Sequence, residues 1–149
     1  MVLRMTPEQR EDFLAEPRVG VLTVAAEAGR APLATPIWYD YRPGGDVTVL
    51  TLPSLRKARL ITEAGRFALC VQEVAAPYRY VTVEGPVVGV RPVIEQERLA
   101  MAARYMSPEL AAAYVAVTDE VQSGNVVITM RPDRWNTADF ADLGEKLPV

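Results

Sequence analysis

The sequence predicts a mainly β, α+β domain: six short antiparallel strands curled into a barrel, with helices outside it. Three observations carry that expectation. Short β-branched and apolar runs recur along the chain, bounded by Gly, Pro or Asp. Most of them follow one another in hairpin-compatible order, which favours antiparallel pairing, and curling into a barrel removes exposed edges. The two longest helical stretches come late, after the fifth strand, so they are expected on the outside. With 149 residues, half of them apolar, the chain suits one domain spanning 1–149 with a sizeable core.

The elements follow in order. Thr6-Pro7-Glu8-Gln9 reads as a helix start. Thr6 caps, Pro7 takes the first helical position and Gln9 completes a capping box. The helix runs to about Ala15, with Phe13 and Leu14 inward, and Pro17 ends it. Val19 to Ala25 reads as a buried strand, and Gly29 turns the chain. Pro32 to Tyr41 is a second strand; its Pro36 cannot donate to a ladder and belongs at an edge or a bulge. Arg42-Pro43-Gly44-Gly45-Asp46 is a hairpin loop, and Val47 to Leu52 is the third strand. Pro53-Ser54 then switches to a helix with Leu55, Ala58, Leu60 and Ile61 on its apolar side and Gly65 as its stop. Phe67 to Val71 and Tyr78 to Val90 are the fourth and fifth strands, the latter bent at Gly85-Pro86. Helices follow over about Val93 to Tyr105 and from Ser107-Pro108-Glu109. Gly124 turns into a sixth strand, Val126 to Met130, and Arg134 to Ala138 pairs as a last short one. Several strands are apolar on both faces, so a second copy of the chain is expected to cover the outer face.

Composition removes several chemistries. Histidine is absent, which excludes a Ser-His-Asp triad, a Cys-His dyad and a His-ligated zinc site. Cys70 is the single cysteine, so no internal disulfide forms, and its thiol is expected to face the core. The net charge of −3 argues against a nucleic-acid binder. No apolar run approaches the roughly 18 residues of a membrane span. Met1-Val2-Leu3-Arg4-Met5 lacks the pattern of a secretory signal, so a cytoplasmic location is expected.

The most informative segment is Thr51-Leu52-Pro53-Ser54-Leu55-Arg56-Lys57-Ala58-Arg59. A strand ends, a helix begins, and three cations fall at the helix's positive end, where acids are preferred. A phosphate there would meet free backbone N–H groups, the Ser54 hydroxyl and the Arg/Lys heads. A solvated basic helix start without a ligand fits the same residues. Ser54-Leu55-Arg56-Lys57 also spells the Ser-x-x-Lys nucleophile motif, but the chain is far too short and lacks the companion motifs.

Thr35-Pro36-Ile37-Trp38-Tyr39-Asp40 reads as a bulged strand whose free backbone groups suit the edge of a flat heterocycle, with core packing as the other reading for Ile37 and Trp38. Pro77-Tyr78-Arg79-Tyr80 either covers a ring system or is a turn with exposed tyrosines. Trp135 either packs in the core or reaches a partner's pocket. Glu84 needs a cation, with Arg79 or Arg91 as candidates.

On these segments the chain resembles the pyridoxamine 5'-phosphate oxidase-like split-barrel superfamily. Within it the chain is most similar to the flavin/deazaflavin oxidoreductases, a branch that commonly uses coenzyme F420. The resemblance rests on Gly20-Val21-Leu22-Thr23, Thr35-Pro36-Ile37-Trp38-Tyr39, Ser54-x-x-Lys57-x-Arg59 and Pro77-Tyr78-Arg79-Tyr80-Val81-x-Val83-Glu84-Gly85, and spans about residues 6 to 139. It implies a six-stranded split barrel in a two-fold homodimer, with cofactors in grooves at the interface. It places the cofactor phosphate on Arg56, Lys57 and Arg59, and the ring along Thr35, Pro36, Ile37, Trp38, Thr51 and Leu52. Pro77, Tyr78, Arg79 and Tyr80 would help close the groove. No metal and no catalytic side chain are implied, because the cofactor carries the hydride. The histidine of true pyridoxamine-phosphate oxidases is missing, so vitamin B6 oxidation is not expected.

The expected activity is hydride transfer from reduced coenzyme F420 to a conjugated small molecule, biliverdin-like, enone or quinone. An arginine-rich groove would suit the cofactor's acidic polyglutamate tail. The alternatives are an FMN-dependent oxidoreductase and a non-enzymatic carrier of a flavin or haem.

Overall fold

The structure, a computed structural model, describes residues 3–144 and residue 146. Residues 1 and 2, which entered the signal argument, and the last residues of the 1–149 domain lie outside the described residues. In chain order the elements are α1 (Pro7–Ala15), β1 (Gly20–Val24), β2 (Leu33–Ile37), β3 (Tyr39–Asp40), β4 (Val47–Thr51), α2 (Arg56–Ala64), β5 (Arg66–Gln72) and β6 (Arg79–Pro92). They continue with α3 (Glu95–Ala103), α4 (Pro108–Val117), α5 (Asp119–Gln122), β7 (Val126–Met130), β8 (Arg134–Asp139) and α6 (Ala141–Gly144).

The local signals form as read. Gln9 N–H donates to the Thr6 hydroxyl (3.2 Å) while Thr6 N–H donates to the Gln9 side chain (2.9 Å), closing the capping box of α1. Ser107 caps α4 through the Leu110 N–H (3.2 Å). Gly65 ends α2 in the left-handed conformation, φ 71°, which glycine adopts without a Cβ penalty.

All strand pairings are antiparallel, in the order β2-β1-β5-β6-β7-β4-β3, with β8 also on β6. β2 and β3 sit at opposite ends of that order, yet only Trp38 separates them in the chain. The sheet therefore closes on itself: counted together, β2 and β3 are one of six strands around a barrel. The six expected strands become eight because Trp38 divides the second and because β8 lies on the first half of β6, beyond the ring.

Four expectations change. β2 carries no bulge: Pro36 faces Val21 in regular register and is tolerated because β2 is an edge. The irregularity of β6 falls between Val87 and Gly89, two residues past Gly85-Pro86. α2 starts at Arg56, two residues past the switch read at Pro53-Ser54, and its N-cap Leu55 offers no side-chain bond. Cys70 is half-buried on the outer face of β5, because Phe67, Leu69 and Val71 take the inward positions.

The core fills the barrel, from Phe13 and Leu14 of α1 through Leu22, Tyr39, Val47, Val49, Leu69, Val81 and Met130. A second, smaller cluster joins Ala102, Ala111 and Val115 of α3 and α4 to Trp38, Met106 and Tyr114. Among the described residues no helix is long and apolar enough to cross a membrane.

Gly85 is fixed by close approach. The link between β7 and β8 crosses it, with Arg131 N–H donating to Pro86 O (3.0 Å) and Asp133 N–H donating to Glu84 O (2.9 Å). A Cβ on residue 85 would stand 1.8 Å from the Arg131 carbonyl oxygen, which is backbone and cannot rotate away. Gly85→Ala is expected to destabilise the fold by at least about 2 kcal/mol, the scale of core overpacking, measured by denaturant unfolding.

Candidate functional site

The barrel is split beside Trp38. The β3–β4 ladder pairs Tyr39 with Val49 and Asp40 with Thr48. Two residues further that register would oppose Ile37 to Thr51, but there the strand has left β4 and pairs with β1. β2 thus has one edge unpaired in the sheet. The sheet is split between that edge and the segment running from Thr51 through Pro53 and Ser54 into α2. Thr51 and Ile37 are buried, Thr35 and Leu52 are half-buried, and Pro36 and Ser54 are exposed.

The basic segment opens α2. Arg56 and Lys57 are half-buried and Arg59 is exposed. Leu55 provides no side-chain cap; Ala58 N–H donates to Leu55 O at 3.1 Å, while the Arg56 and Lys57 N–H groups have no acceptor among the described residues. A carboxylate already sits among the cations. Glu27, in the turn between β1 and β2, accepts from Arg56 Nη2 at 2.6 Å and Nε at 3.2 Å, and lies 3.7 Å from Arg59. The hydrogen bond from Arg56 brings the Glu27 carboxyl down from 4.5 to about 2. Ser54 and Arg59 also line a cavity of about 460 Å³ against Val90 and Val126.

At the other end, Pro36, Ile37 and Trp38 line a cavity of about 300 Å³ with Val19 and Leu50. Its roof comes from α3 to α5: Arg98, Met101, Ala102, Tyr114 and Gln122, joined by Asn125. Trp38 stacks on Tyr105, ring centroids 4.9 Å apart and 11° between planes, and meets Tyr114 at 5.5 Å. The Tyr105 hydroxyl donates to Arg18 O (2.8 Å) and accepts from Tyr39 N–H (3.1 Å). Burial raises its pKa, which keeps the proton it donates. Trp38 is therefore held against the helices and is not part of the barrel core.

Pro77 to Tyr80 lines neither cavity. Pro77 and Tyr78 are exposed and Tyr80 is half-buried. Arg79 lies over the Phe13 ring (5.1 Å) with Arg18 (3.9 Å), and both reach Glu73, at 3.8 and 2.8 Å. The partner of Glu84 is Arg66 (3.8 Å), not Arg79 or Arg91, since Arg66 is its diagonal neighbour on the same sheet face. Arg91 pairs with Glu97 instead. Trp135 packs against the core, with Arg10 over its ring at 4.5 Å.

Sequence reasoning missed Glu27, Leu50 and the whole roof. Nothing local marks Glu27, whose role depends on a turn meeting a helix 29 residues away. The roof had a signal in the two helices themselves, but not in where they dock.

A family model, pyridoxamine 5'-phosphate oxidase, matches residues 6–139. No curated protein sequence matches significantly. Similar solved structures include a conserved hypothetical protein from Mycobacterium tuberculosis, 21% identical over 99% of this chain and 91% of that one, TM-score 0.76. An F420 reductase is 23% identical over 85% and 94%, TM-score 0.69. A FAD-binding protein from Mesorhizobium loti is 18% identical over 93% and 97%, TM-score 0.65. At these identities the likenesses establish the fold.

The Glu27–Arg56 contact has a signed pH dependence. A carboxyl with a lowered pKa keeps its contact above the ordinary carboxylate range and loses it as pH falls towards about 2. Carbon-detected NMR titration should show Glu27 titrating well below 4.5, and Arg56→Gln should return it to near that value.

Proposed function

The chain belongs to the pyridoxamine 5'-phosphate oxidase family, and from that premise we propose that it transfers a hydride from reduced coenzyme F420 to a conjugated unsaturated acceptor. The observation that supports this reading is the Arg56–Lys57–Arg59 helix start directly after β4, the strand from which β2 diverges with one edge unpaired.

The residues present fit such a cofactor. The uncapped N–H groups of α2, the half-buried Lys57 and the guanidinium groups beside it suit a phosphate. The free edge of β2 suits the hydrogen-bonding edge of a flat ring, and Thr51 and Ile37, on either side of the split, are buried. When bound, the cofactor supplies the hydride, so the protein's part is to hold and orient it and to limit water at the Trp38 end. No side-chain nucleophile is needed for that part.

The deazaflavin is preferred because its acidic tail would extend along Arg56 and Arg59, whose carboxylate partner among the described residues, Glu27, is exposed and displaceable. The F420 reductase among the similar structures agrees with this choice. FMN is the alternative, and the FAD-binding neighbour agrees with a flavin in the same fold. A homodimer is part of the proposal. Val21, Val88 and Val90 leave apolar surface on the outer face, 39%, 45% and 51% exposed, and a second copy would cover it.

Titration of the purified protein with F420 and with FMN, followed by fluorescence, tests the reading. F420 should bind more tightly than FMN, and Lys57→Ala should weaken it on the order of tenfold, the loss of one charge-assisted contact. If neither cofactor bound more tightly than about millimolar, the proposal would fail. Stopped-flow mixing of the loaded, reduced protein with enones and quinones separates an enzyme from a carrier: a carrier would show no oxidation faster than free cofactor.

A further inference from the structure

We propose that residues 93–125, which carry α3 to α5, form a lid that lifts from the barrel as one body, pivoting where it leaves β6 and enters β7 and latched by Tyr105. The motion is independent of which cofactor the chain binds.

The segment leaves and rejoins the sheet at one place. Pro92, the last residue of β6, pairs with Val126, the first of β7. Beside them Val93 N–H donates to Asn125 O at 3.0 Å. Everything between hangs on that single stem, so a few torsions at its two strands are enough to swing the whole.

Internally the segment is well joined. Ala102, Ala111 and Val115 make a small core of their own. Arg98, only 4% exposed, reaches from α3 to the later helices. Its Nη1 donates to Asp119 at 2.7 Å, and its Nη2 donates to Val115 O at 3.0 Å and to the Thr118 hydroxyl at 3.1 Å. The Gln122 side chain donates to the Tyr114 hydroxyl at 3.1 Å, joining α5 to α4. Separating these helices would strand a buried guanidinium, so they move together or not at all.

Towards the barrel the packing is hollow. The open cavity of about 300 Å³ parts Ile37 and Leu50 from Met101 and Tyr114. A second, of about 110 Å³, parts Thr48 and Val127 of the sheet from Glu97 and Ala100 of α3. Surfaces that face a void forfeit dispersion contacts, so this junction is the weakest in the fold. What bridges it is the stack of Trp38 on Tyr105 and Tyr114, and one polar latch. Among the described residues, hydrogen bonds from the segment to the barrel away from the stem come from Arg104 and Tyr105 alone. The Arg91–Glu97 pair lies beside the stem, at the pivot. The latch is also imperfect: Arg104 Nη2 is buried without a partner among the described residues, and opening would hydrate it. Elements held this weakly open locally, below the cost of global unfolding, as active-site lids do.

Thiol labelling of the full chain in a Cys70→Ser background tests the motion. Val127→Cys places a reporter on the outward face of β7, 2% exposed and beneath α3; Val81→Cys places one in the barrel core, 0% exposed. The first should react with a thiol reagent at least about tenfold faster than the second, since it needs only the lid to lift. Tyr105→Phe keeps the ring on Trp38 and removes the hydroxyl. It should speed labelling of Val127→Cys by about tenfold, the scale of one or two hydrogen bonds, and leave Val81→Cys unchanged. Hydrogen exchange of the α3 and α4 amides should stay slower than that labelling, because a rigid lid keeps its helices. Equal labelling at the two positions overturns the lid, and so does helix exchange as fast as the labelling, which means melting. A Tyr105→Phe effect on both reporters or on neither overturns the latch. Should Tyr105→Phe fail to fold, the comparison of the two reporters in the otherwise unaltered chain still decides whether the lid lifts.

Discussion

One strand has to serve both ends of the sheet. β2 completes the ladder on β1 and β3 completes the ladder on β4, with a single residue, Trp38, to change direction between them. Closure removes open edges from most of the barrel, but it cannot be perfect where one strand changes partners. The unpaired edge of β2 and the divergence from Thr51 follow from that geometry. The same residue that closes the barrel therefore creates its split.

The side chain at the changeover also decides what can cover it. An aromatic leaving the barrel core needs apolar contact elsewhere, and Trp38 finds it on Tyr105 and Tyr114. The α3–α4 link is fixed in return by Tyr105, which bonds to both Arg18 O and the Tyr39 N–H, and by Arg104, whose Nε donates to Tyr39 O at 2.9 Å. The link between α3 and α4 is thus anchored to Tyr39, directly after the switch, and to Arg18, just before β1, which explains why a late insertion forms the roof of a cavity built by early strands.

What the sequence revealed and what it hid divide along the same line. Features decided within a few residues were legible: the Thr6–Gln9 capping box, the Ser107 cap and the Gly65 stop all form as their spacing requires. So was the alternation that builds the barrel. Features decided by register were not. Cys70 and Glu84 were placed by residue type, whereas the pairing of β5 with its neighbours sets which face each occupies. Pro36 marked an edge and not the bulge also read there, because an edge and a bulge satisfy proline equally. Glu27 and the roof depend on contacts between distant segments, for which one sequence carries no local sign.

The basic start of α2 shows how such a site can exist without a ligand. Three cations at the positive end of a helix repel one another and the helix dipole. The β1–β2 turn answers with Glu27, which bridges Arg56 and Arg59 as a phosphate oxygen would. Exposed ion pairs of this kind contribute little to stability, since water and salt screen them. A phosphate offers more charge and more acceptor oxygens to the same donors, and it can also meet the uncapped N–H groups that Glu27 does not reach. The carboxylate thus balances Arg56 and Arg59 through exposed contacts, and under the proposed function an incoming phosphate would take over donors whose present partner water and salt already screen.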